Sequence, residues 1–198
     1  MKLVLATQNP KKLKEMNEIL SHLGVEVVSE AELGVRIEVE EPGETSTDNA
    51  RLKATAVMQA TGLPAVADDS GLCVDALNGG PGVYSARFGG EGLNDKGRYT
   101  LLLEMLRGQS DRAAHFHTSI VCAFPNGDEL VCEGECPGTI AFAPMGEDGF
   151  GYDPVFFVPE LRKTFGQLTA EEKASVSHRG KALRAFAAAL DDYLKGNE

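Results

Sequence analysis

The sequence lacks the features that would bring a chain into a membrane or onto nucleic acid. No apolar run approaches the roughly 18 residues needed to cross a bilayer, and residues 1–6 hold too short an apolar stretch for a signal peptide. Lysine and arginine total 19 against 30 aspartates and glutamates, so the formal net charge is −11. Because DNA, RNA and anionic membranes are bound through a basic face, we expect neither a nucleic-acid partner nor a membrane partner.

Cysteine is scarce and is poorly spaced for metal binding. The four cysteines include no Cys-x-x-Cys pair and have no histidine nearby at zinc-finger spacing, which argues against structural zinc. Two of them lie in strand-like runs, where cysteine acts as a small buried apolar residue. We therefore expect reduced thiols and a cytoplasmic protein.

The composition that remains is typical of a folded chain. Of the 198 residues, 42% are hydrophobic and 25% are charged. A chain of this length buries roughly 70% of its unfolded surface, so it needs no metal or disulfide to hold a core. We found no internal repeat and no linker-like tract. The sequence therefore predicts one domain over residues 1–198, with two lobes as the alternative within that single domain.

A strand, a helix and a second strand are predicted within the first thirty residues. The apolar run 3–6 is typical of a buried strand. Asn9 followed by Pro10 is typical of a capped helix start. Apolar residues then recur at helical spacing until Gly24, and residues 25–28 form the next strand-like run.

The rest of the chain continues the alternation and adds a hairpin. We expect a helix over 47–61, a strand at 65–67 that ends in the acidic turn 68–71, a helix over about 94–107, a strand at 155–158 and a helix over about 178–195. Alternating residues over 112–124 and 129–136 flank an Asn-Gly turn, which predicts a β-hairpin. A purely parallel sheet would not contain that hairpin. The fold class is therefore α/β, with an elongated mixed β-sheet flanked by helices.

Two helix starts carry basic residues where the helix dipole disfavours them. Residues 7–12 join the first strand to the first helix, so free backbone N–H groups point to one spot that suits a phosphate. Lys11 and Lys12 oppose the dipole there unless an anion binds. A second basic cluster consists of Lys173 and, at the start of the last helix, His178, Arg179 and Lys181. An ordinary capped helix with solvated lysines would show the same local pattern.

Acidic residues follow the predicted strand at 65–67. Asp68 and Asp69 close the apolar run, and we expect one of them to face a site because neighbouring strand side chains point to opposite faces. Glu38, Glu40 and Glu41 precede a Pro-Gly turn, and one of them could bring a second carboxylate. A set of oxygen ligands without histidine or cysteine selects Mg²⁺ over zinc. A turn that is rich in Asp, Ser and Gly for conformational reasons alone remains the alternative.

A glycine-rich loop supplies an aromatic ring. Gly149 and Gly151 allow the backbone to approach a ligand, and Phe150 between them offers a face for stacking. Basic groups for phosphates, carboxylates for Mg²⁺ and a Gly-Phe-Gly loop together describe a nucleoside polyphosphate site. No GxxxxGK[ST] phosphate loop occurs, and no GxGxxG follows a strand, so a nicotinamide oxidoreductase is disfavoured.

Five segments carry a resemblance to the inosine triphosphate pyrophosphatase family, also called dITP/XTP pyrophosphatases. They read ATQNPKKLKE at 6–15, ADDSGL at 67–72, GGPGVYSARF at 79–88, GFGYDPVFF at 149–157 and EEKASVSHRGKAL at 171–183. The resemblance implies two lobes around a central nucleotide-binding cleft, a homodimer, and Mg²⁺-dependent hydrolysis of ITP, dITP and XTP to the monophosphate and pyrophosphate.

The resemblance also assigns residues. By position, the phosphate-binding start is Thr7, Gln8, Asn9, Pro10, Lys11 and Lys12, and the base side and remaining nucleotide contacts are Ser70, Phe150, Gly151, Tyr152, Asp153, Lys173, His178 and Arg179. Asp69 matches the general base and metal ligand, and the other metal carboxylate falls at Glu40 or Glu41. This chain has Ser46 where the family more often has an aromatic residue, a departure that we expect to affect local packing only.

The predicted reaction is an in-line attack of water on the α-phosphorus with pyrophosphate as the leaving group. Such chemistry depends on positioning and charge neutralisation, for which we expect Asp69, the metal, Lys12 and Lys173. Donors at His178 and Arg179 would read the purine 6-oxygen. Two alternatives remain open: a pyrophosphatase for pyrimidine or modified nucleotides, and a sensor that binds the nucleotide without cleaving it.

Overall fold

The computed structural model describes residues 1–196 and has a mixed β-sheet flanked by helices. The helices are α1 (Pro10–Leu20), α2 (Ser46–Thr61), α3 (Asp95–Met105), α4 (Ala170–Val176) and α5 (His178–Gly196). The strands are β1 (Lys2–Leu5), β2 (Glu26–Ser29), β3 (Ala65–Val74), β4 (Gly80–Gly82), β5 (Ala113–Ala123), β6 (Glu129–Ile140), β7 (Phe156–Val158) and β8 (Lys163–Thr164). The predicted α/β class with a mixed sheet is confirmed.

The sheet has eight strands in the order β2-β1-β3-β5-β6-β7-β8, and β4 pairs with β3. Strand β1 runs parallel to β2 and β3, whereas β7 runs antiparallel to both β6 and β8. The predicted hairpin is present between β5 and β6, where the Phe124 N–H donates to the Asp128 carbonyl over 3.0 Å. Gly127 has a φ of 94°, which suits glycine at this turn.

The chain divides into two compact units. The first contains Met1–Asp69, Thr118–Gly134 and the described residues from Lys181 onward, and the second contains Ser70–His117 and Glu135–Gly180. The largest fully buried side chains of the first unit are Leu3, Leu5, Met16, Leu20, Ile120 and Phe186. Those of the second are Leu72, Leu102, Leu106, Ile140, Phe156 and Phe165. The two lobes around a nucleotide-binding cleft stay a prediction.

Strand β3 differs from its prediction in length. The expectation that the strand stops at the acidic turn 68–71 is wrong, because β3 continues to Val74. At Gly71 the neighbouring strand β4 comes so close that an added Cβ would lie 2.4 Å from the Gly82 carbonyl oxygen. Glycine therefore serves close strand pairing here rather than a turn.

The predicted helices lie close to their expected bounds. Asn9 caps α1 by accepting a hydrogen bond from the Lys11 N–H over 3.0 Å, and Pro10 occupies the first helical position. Ser177 accepts from the Gly180 N–H over 3.0 Å at the start of α5. No helix within residues 1–196 is both long enough and apolar enough to span a membrane.

Candidate active site

The turn between β1 and α1 places Lys12 against a buried carboxylate. The Lys12 ammonium donates to Asp68 Oδ2 over 2.7 Å, and the Asp68 side chain is only 2% exposed. Thr7 Oγ1 accepts from the Asn9 N–H over 3.2 Å and shapes the turn. The remaining residues predicted for this phosphate site, Gln8, Asn9, Pro10 and Lys11, are exposed. The open helix start and its lysine thus lie beside the end of β1, as the sequence suggested.

Lys53 of α2 forms ion pairs with two carboxylates of the first unit, those of Glu41 and Asp69. Its ammonium lies 2.9 Å from Glu41 Oε1 and 3.3 Å from Asp69 Oδ1, and it donates to the Asp68 carbonyl over 2.9 Å. Burial acts to lower the pKa of Lys53, but the charges of Asp69 and Glu41 outweigh it, so the pKa lies above its usual value. Lys53 is therefore charged and holds both acids on one cation.

Asp69 is a carboxylate under opposing influences. Burial raises its pKa above the ordinary value of 3.8, and the negative charge of Glu41 adds to that rise. The Lys53 charge and the hydroxyl of Ser46 act in the lowering direction without cancelling it. Asp69 Oδ2 is buried and accepts no hydrogen bond from any of residues 1–196. The group is thus a partly desolvated acid with one unused oxygen, which is the condition of a general base.

The two candidate glutamates are placed differently. Glu41 is partly buried and forms the ion pair with Lys53, whereas Glu40 is exposed. Neighbouring residues on an extended segment project to opposite sides. The carboxylate that the structure brings next to Asp69 and Lys53 is therefore that of Glu41.

The donor set at this point fits a hard divalent cation. Asp69 and Glu41 both approach one positive charge, at present the ammonium of Lys53, and Asp69 keeps a free oxygen. No group of three His, Cys, Asp or Glu side chains suited to a metal lies within the described part of the chain. Two carboxylates, completed by water and phosphate oxygens, suit Mg²⁺, which is rarely held by the protein alone.

The glycine-rich loop forms a second cluster, within the second unit. Asp153 Oδ2 accepts from the Phe150 N–H over 2.9 Å and from the Lys173 ammonium over 2.5 Å. That ammonium lies 4.8 Å from the centre of the Phe150 ring. Burial raises the pKa of Asp153, and the charge of Lys173 opposes the rise. Phe150 itself is 71% exposed, so its ring is available for stacking.

Two further bonds fix the conformation of this loop. The Gly151 N–H donates to Asp95 Oδ2 of α3 over 2.7 Å. Tyr152 is buried and donates from its hydroxyl to the Ser85 carbonyl over 2.7 Å. Burial raises the pKa of Tyr152 to about 12, so this hydroxyl stays protonated. The Tyr152 side chain packs in the apolar core of the second unit, and with its hydrogen bond to Ser85 it holds the loop in place.

The remaining predicted residues lie at the start of α5 and on β3. The His178 ring stacks on Phe116 with 4.6 Å between ring centres. Arg179 follows it in the first turn, which has no acidic residue. Ser70 is exposed on β3, directly after Asp69 in the chain. The basic helix start predicted from the sequence is thus present, with the histidine held by an aromatic partner.

Sequence reasoning missed the polar face of α2. It did not name Asn49 or Lys53, and for Ser46 it expected an effect on packing only. The available signal was their spacing of three, four and seven residues, which puts them on one face. The packing expectation for Ser46 stays a prediction; in addition, its hydroxyl acts to lower the pKa of Asp69.

Comparison with known proteins agrees with the resemblance in the motifs. Residues 3–189 match the model of the Ham1 family. A dITP/XTP pyrophosphatase from an Exiguobacterium strain is 48% identical over 99% of this chain and 100% of its own.

Two solved structures are similar as well. A Ham1 protein from Coxiella burnetii has a TM-score of 0.93 and 42% identity, covering 97% of this chain and 99% of its own. A nucleoside-triphosphatase / dITP/XTP pyrophosphatase from Mycobacterium abscessus has a TM-score of 0.82 and 46% identity, covering 96% and 99%. With a family match over nearly its whole length and relatives at this identity, the chain belongs to the Ham1 family.

Proposed function

We propose that the protein hydrolyses the deaminated purine nucleotides ITP, dITP and XTP to the nucleoside monophosphate and pyrophosphate. The observation that carries the proposal is the convergence of Glu41 and Asp69 on Lys53, beside the Lys12–Asp68 pair. Carboxylates and lysines in this arrangement suit phosphoryl chemistry. The names of full-length relatives, dITP/XTP pyrophosphatases, support the same reaction.

Asp69 is the general base in this proposal. Its unused Oδ2 accepts the proton of a water molecule that attacks the α-phosphorus. Its other oxygen stays on Lys53, which fixes the orientation of the carboxylate. Lys12 and Lys53 offset the charge of the polyphosphate, and the backbone between β1 and α1 binds phosphate oxygens.

The metal of this reaction is Mg²⁺, and Asp69 and Glu41 are the residues that would hold it. When bound, Mg²⁺ supplies charge neutralisation at the phosphate oxygens and orients the attacking water. Lys53 keeps the two carboxylates close together before the substrate arrives.

Residues of the second unit serve the base end of the nucleotide. The exposed ring of Phe150 stacks on the purine, and Lys173 and Asp153 hold the loop under it. Donors from His178 and Arg179 recognise the purine 6-oxygen. Adenine presents an amino donor there. Two buried donors that face each other stay unpaired, so the site should discriminate against ATP by a factor on the order of 10⁴.

Assembly and compartment follow from the family resemblance. We expect one catalytic domain per chain, a homodimer and a cytoplasmic location. Light scattering after size-exclusion chromatography tests the dimer, for which the expected mass is twice the 21.1 kDa of one chain.

The direct test is pyrophosphate release from ITP, dITP, XTP, GTP and ATP, each in Mg²⁺ and in EDTA. We expect rapid Mg²⁺-dependent release from the first three and little from GTP or ATP. Binding of ITP without turnover would support the sensor instead. Preference for a pyrimidine or modified nucleotide would leave the reaction intact and overturn the assigned substrate.

A further inference from the structure

Asn49 is an amide side chain that the proposed mechanism does not use. It lies in α2, it is fully buried at 0% exposure, and it comes four residues before Lys53 on the same helix face. Asparagine is a weak helix former and is costly to bury without a partner. It does not cap α2, because that role belongs to Thr45, whose hydroxyl accepts from the Asp48 N–H.

The partner of Asn49 is the backbone of the preceding loop. Asn49 Oδ1 accepts a hydrogen bond from the Gly43 N–H over 2.8 Å. A Cβ added to Gly43 would lie 2.5 Å from Asn49 Oδ1 and 2.8 Å from the Asp48 Cβ. Gly43 does not have a left-handed φ, so its backbone conformation does not require glycine. Glycine is needed here because it lets the loop backbone reach the buried amide.

The hydrogen bond between Gly43 and Asn49 lies close in the chain to the Glu41 carboxylate. Gly43 follows Glu41 by two residues, and the ring of Pro42 between them restricts the backbone. Residues 35–43 belong to no helix or strand, so the loop depends on contacts to α2. Asn49 holds its backbone, and four residues later Lys53 holds the Glu41 carboxylate over 2.9 Å.

We propose that Asn49 is a positioning residue, which holds Glu41 next to Lys53 and Asp69 through the Gly43 N–H. This inference rests on the proposed function, since Glu41 matters there as a ligand of Mg²⁺. Removal of a group that orients a metal ligand without touching the metal typically lowers metal affinity or activity by about 10–100-fold. A buried amide that serves folding alone would not change metal affinity selectively.

The test compares Asn49→Leu, which removes the acceptor at similar volume, with the wild type. One readout is kcat/KM for ITP as a function of Mg²⁺ concentration, and the other is binding of Mn²⁺ to the nucleotide-free protein, measured by electron paramagnetic resonance. We expect a fall of about 10–100-fold in kcat/KM at limiting Mg²⁺ and weaker Mn²⁺ binding. Unchanged Mn²⁺ affinity in a folded variant would overturn the proposal.

A second variant reaches the same bond from its other end. Gly43→Ala pushes the loop away from Asn49 and keeps the amide, so it decides the question if Asn49→Leu does not fold. Its matched control is Gly196→Ala, since a Cβ at Gly196 would meet no atom within 4 Å. We expect Gly43→Ala to weaken Mn²⁺ binding and Gly196→Ala to leave it unchanged. Equal behaviour of the two alanine variants would contradict the proposal.

Introducing Asn49→Leu into a protein that already carries Glu41→Gln separates a positioning role of Asn49 from a role in stability alone. If Asn49 acts through Glu41, Asn49→Leu has no further effect on kcat/KM once the carboxylate is gone. If Asn49→Leu lowers kcat/KM by the same factor in the wild type and in Glu41→Gln, the proposal is overturned. Failure of the proposed function is recognised separately, because the wild type itself would then leave ITP uncleaved, and the Mn²⁺ titrations would still decide the role of Asn49.

Discussion

At the scale of single residues, each of the two units contains an acid that is largely buried next to a lysine. Asp69 and Asp153 both have a pKa raised mainly by burial, and each has a lysine that opposes the rise. A carboxyl group whose pKa is raised in the folded state lowers the stability of the fold as pH rises past its ordinary value. The consequences are measurable one residue at a time.

Replacement of Asp69 by Asn removes both the proposed base and an unfavourable charge. We expect a loss of about 10²–10⁴-fold in turnover of ITP. Because the folded pKa is raised, the wild type loses stability as pH rises from the ordinary value of 3.8 through the folded pKa. The unfolding free energy of Asp69→Asn should therefore increase relative to the wild type over that interval. Urea unfolding in EDTA below pH 3.8 and near pH 7 measures it, and a constant difference would contradict the assignment.

Ser46 acts on the same carboxylate from the start of α2. Its hydroxyl lowers the pKa of Asp69, so Ser46→Ala should raise that pKa further. We expect the acid limb of the kcat/KM profile for ITP to move to higher pH while the neutral-pH rate changes little. A profile identical to that of the wild type would show that this serine has no part in tuning the base.

A control variant separates stacking of Phe150 on the substrate from the general effect of removing an exposed aromatic ring. Phe150→Ala should raise KM for ITP by about 5–150-fold, since stacking of one base is worth ~1–3 kcal/mol. Phe142 is the matched control, because it is also exposed, at 81% against 71%, and also lies against a cation. Steady-state kinetics of Phe142→Ala should match the wild type. A similar rise of KM in both variants would remove the special role of Phe150.

At the scale of elements, α2 and β3 together build the acidic cluster. The helix presents Ser46, Asn49 and Lys53 on one face, and β3 brings two consecutive aspartates to different partners. Alternation along a strand explains why Asp68 pairs with Lys12 while Asp69 pairs with Lys53.

The close approach of β3 and β4 gives a prediction at this scale. Gly71→Ala places a Cβ 2.4 Å from the Gly82 carbonyl oxygen, so the strand pair must separate. We expect the unfolding free energy to fall by about 1–3 kcal/mol, measured by urea denaturation. Gly196→Ala, which meets no neighbouring atom, serves as the control. Equal stability of the two variants would show that the strands adjust without cost.

Elements with strong local signals were predictable from the sequence, and elements held by distant contacts were not. Capping at Asn9 and the Asn-Gly turn of the hairpin depend on neighbouring residues, so their patterns predicted the structure. The two aspartates within the longer β3 pair with Lys12 and Lys53, which lie far away in the sequence. Periodicity carries no information about such partners.

At the scale of the whole molecule, a strongly acidic chain is proposed to bind an anionic substrate. The net charge of −11 opposes that binding at long range, but salt screens charges beyond about 8 Å at physiological ionic strength. Local groups therefore decide, and those predicted from the sequence are Lys12 in the first turn of α1 and the basic residues His178 and Arg179 at the start of α5. The motifs predicted the family, which the match over residues 3–189 confirms, whereas Lys53 required the fold.

The most direct test of the proposed reaction traces the oxygen atom of the attacking water into the products. ITP is hydrolysed to completion in water labelled with heavy oxygen, and the products are analysed by mass spectrometry. Attack of water at the α-phosphorus predicts one labelled oxygen in inosine monophosphate and unlabelled pyrophosphate. Label in pyrophosphate, or release of orthophosphate in its place, would contradict the account.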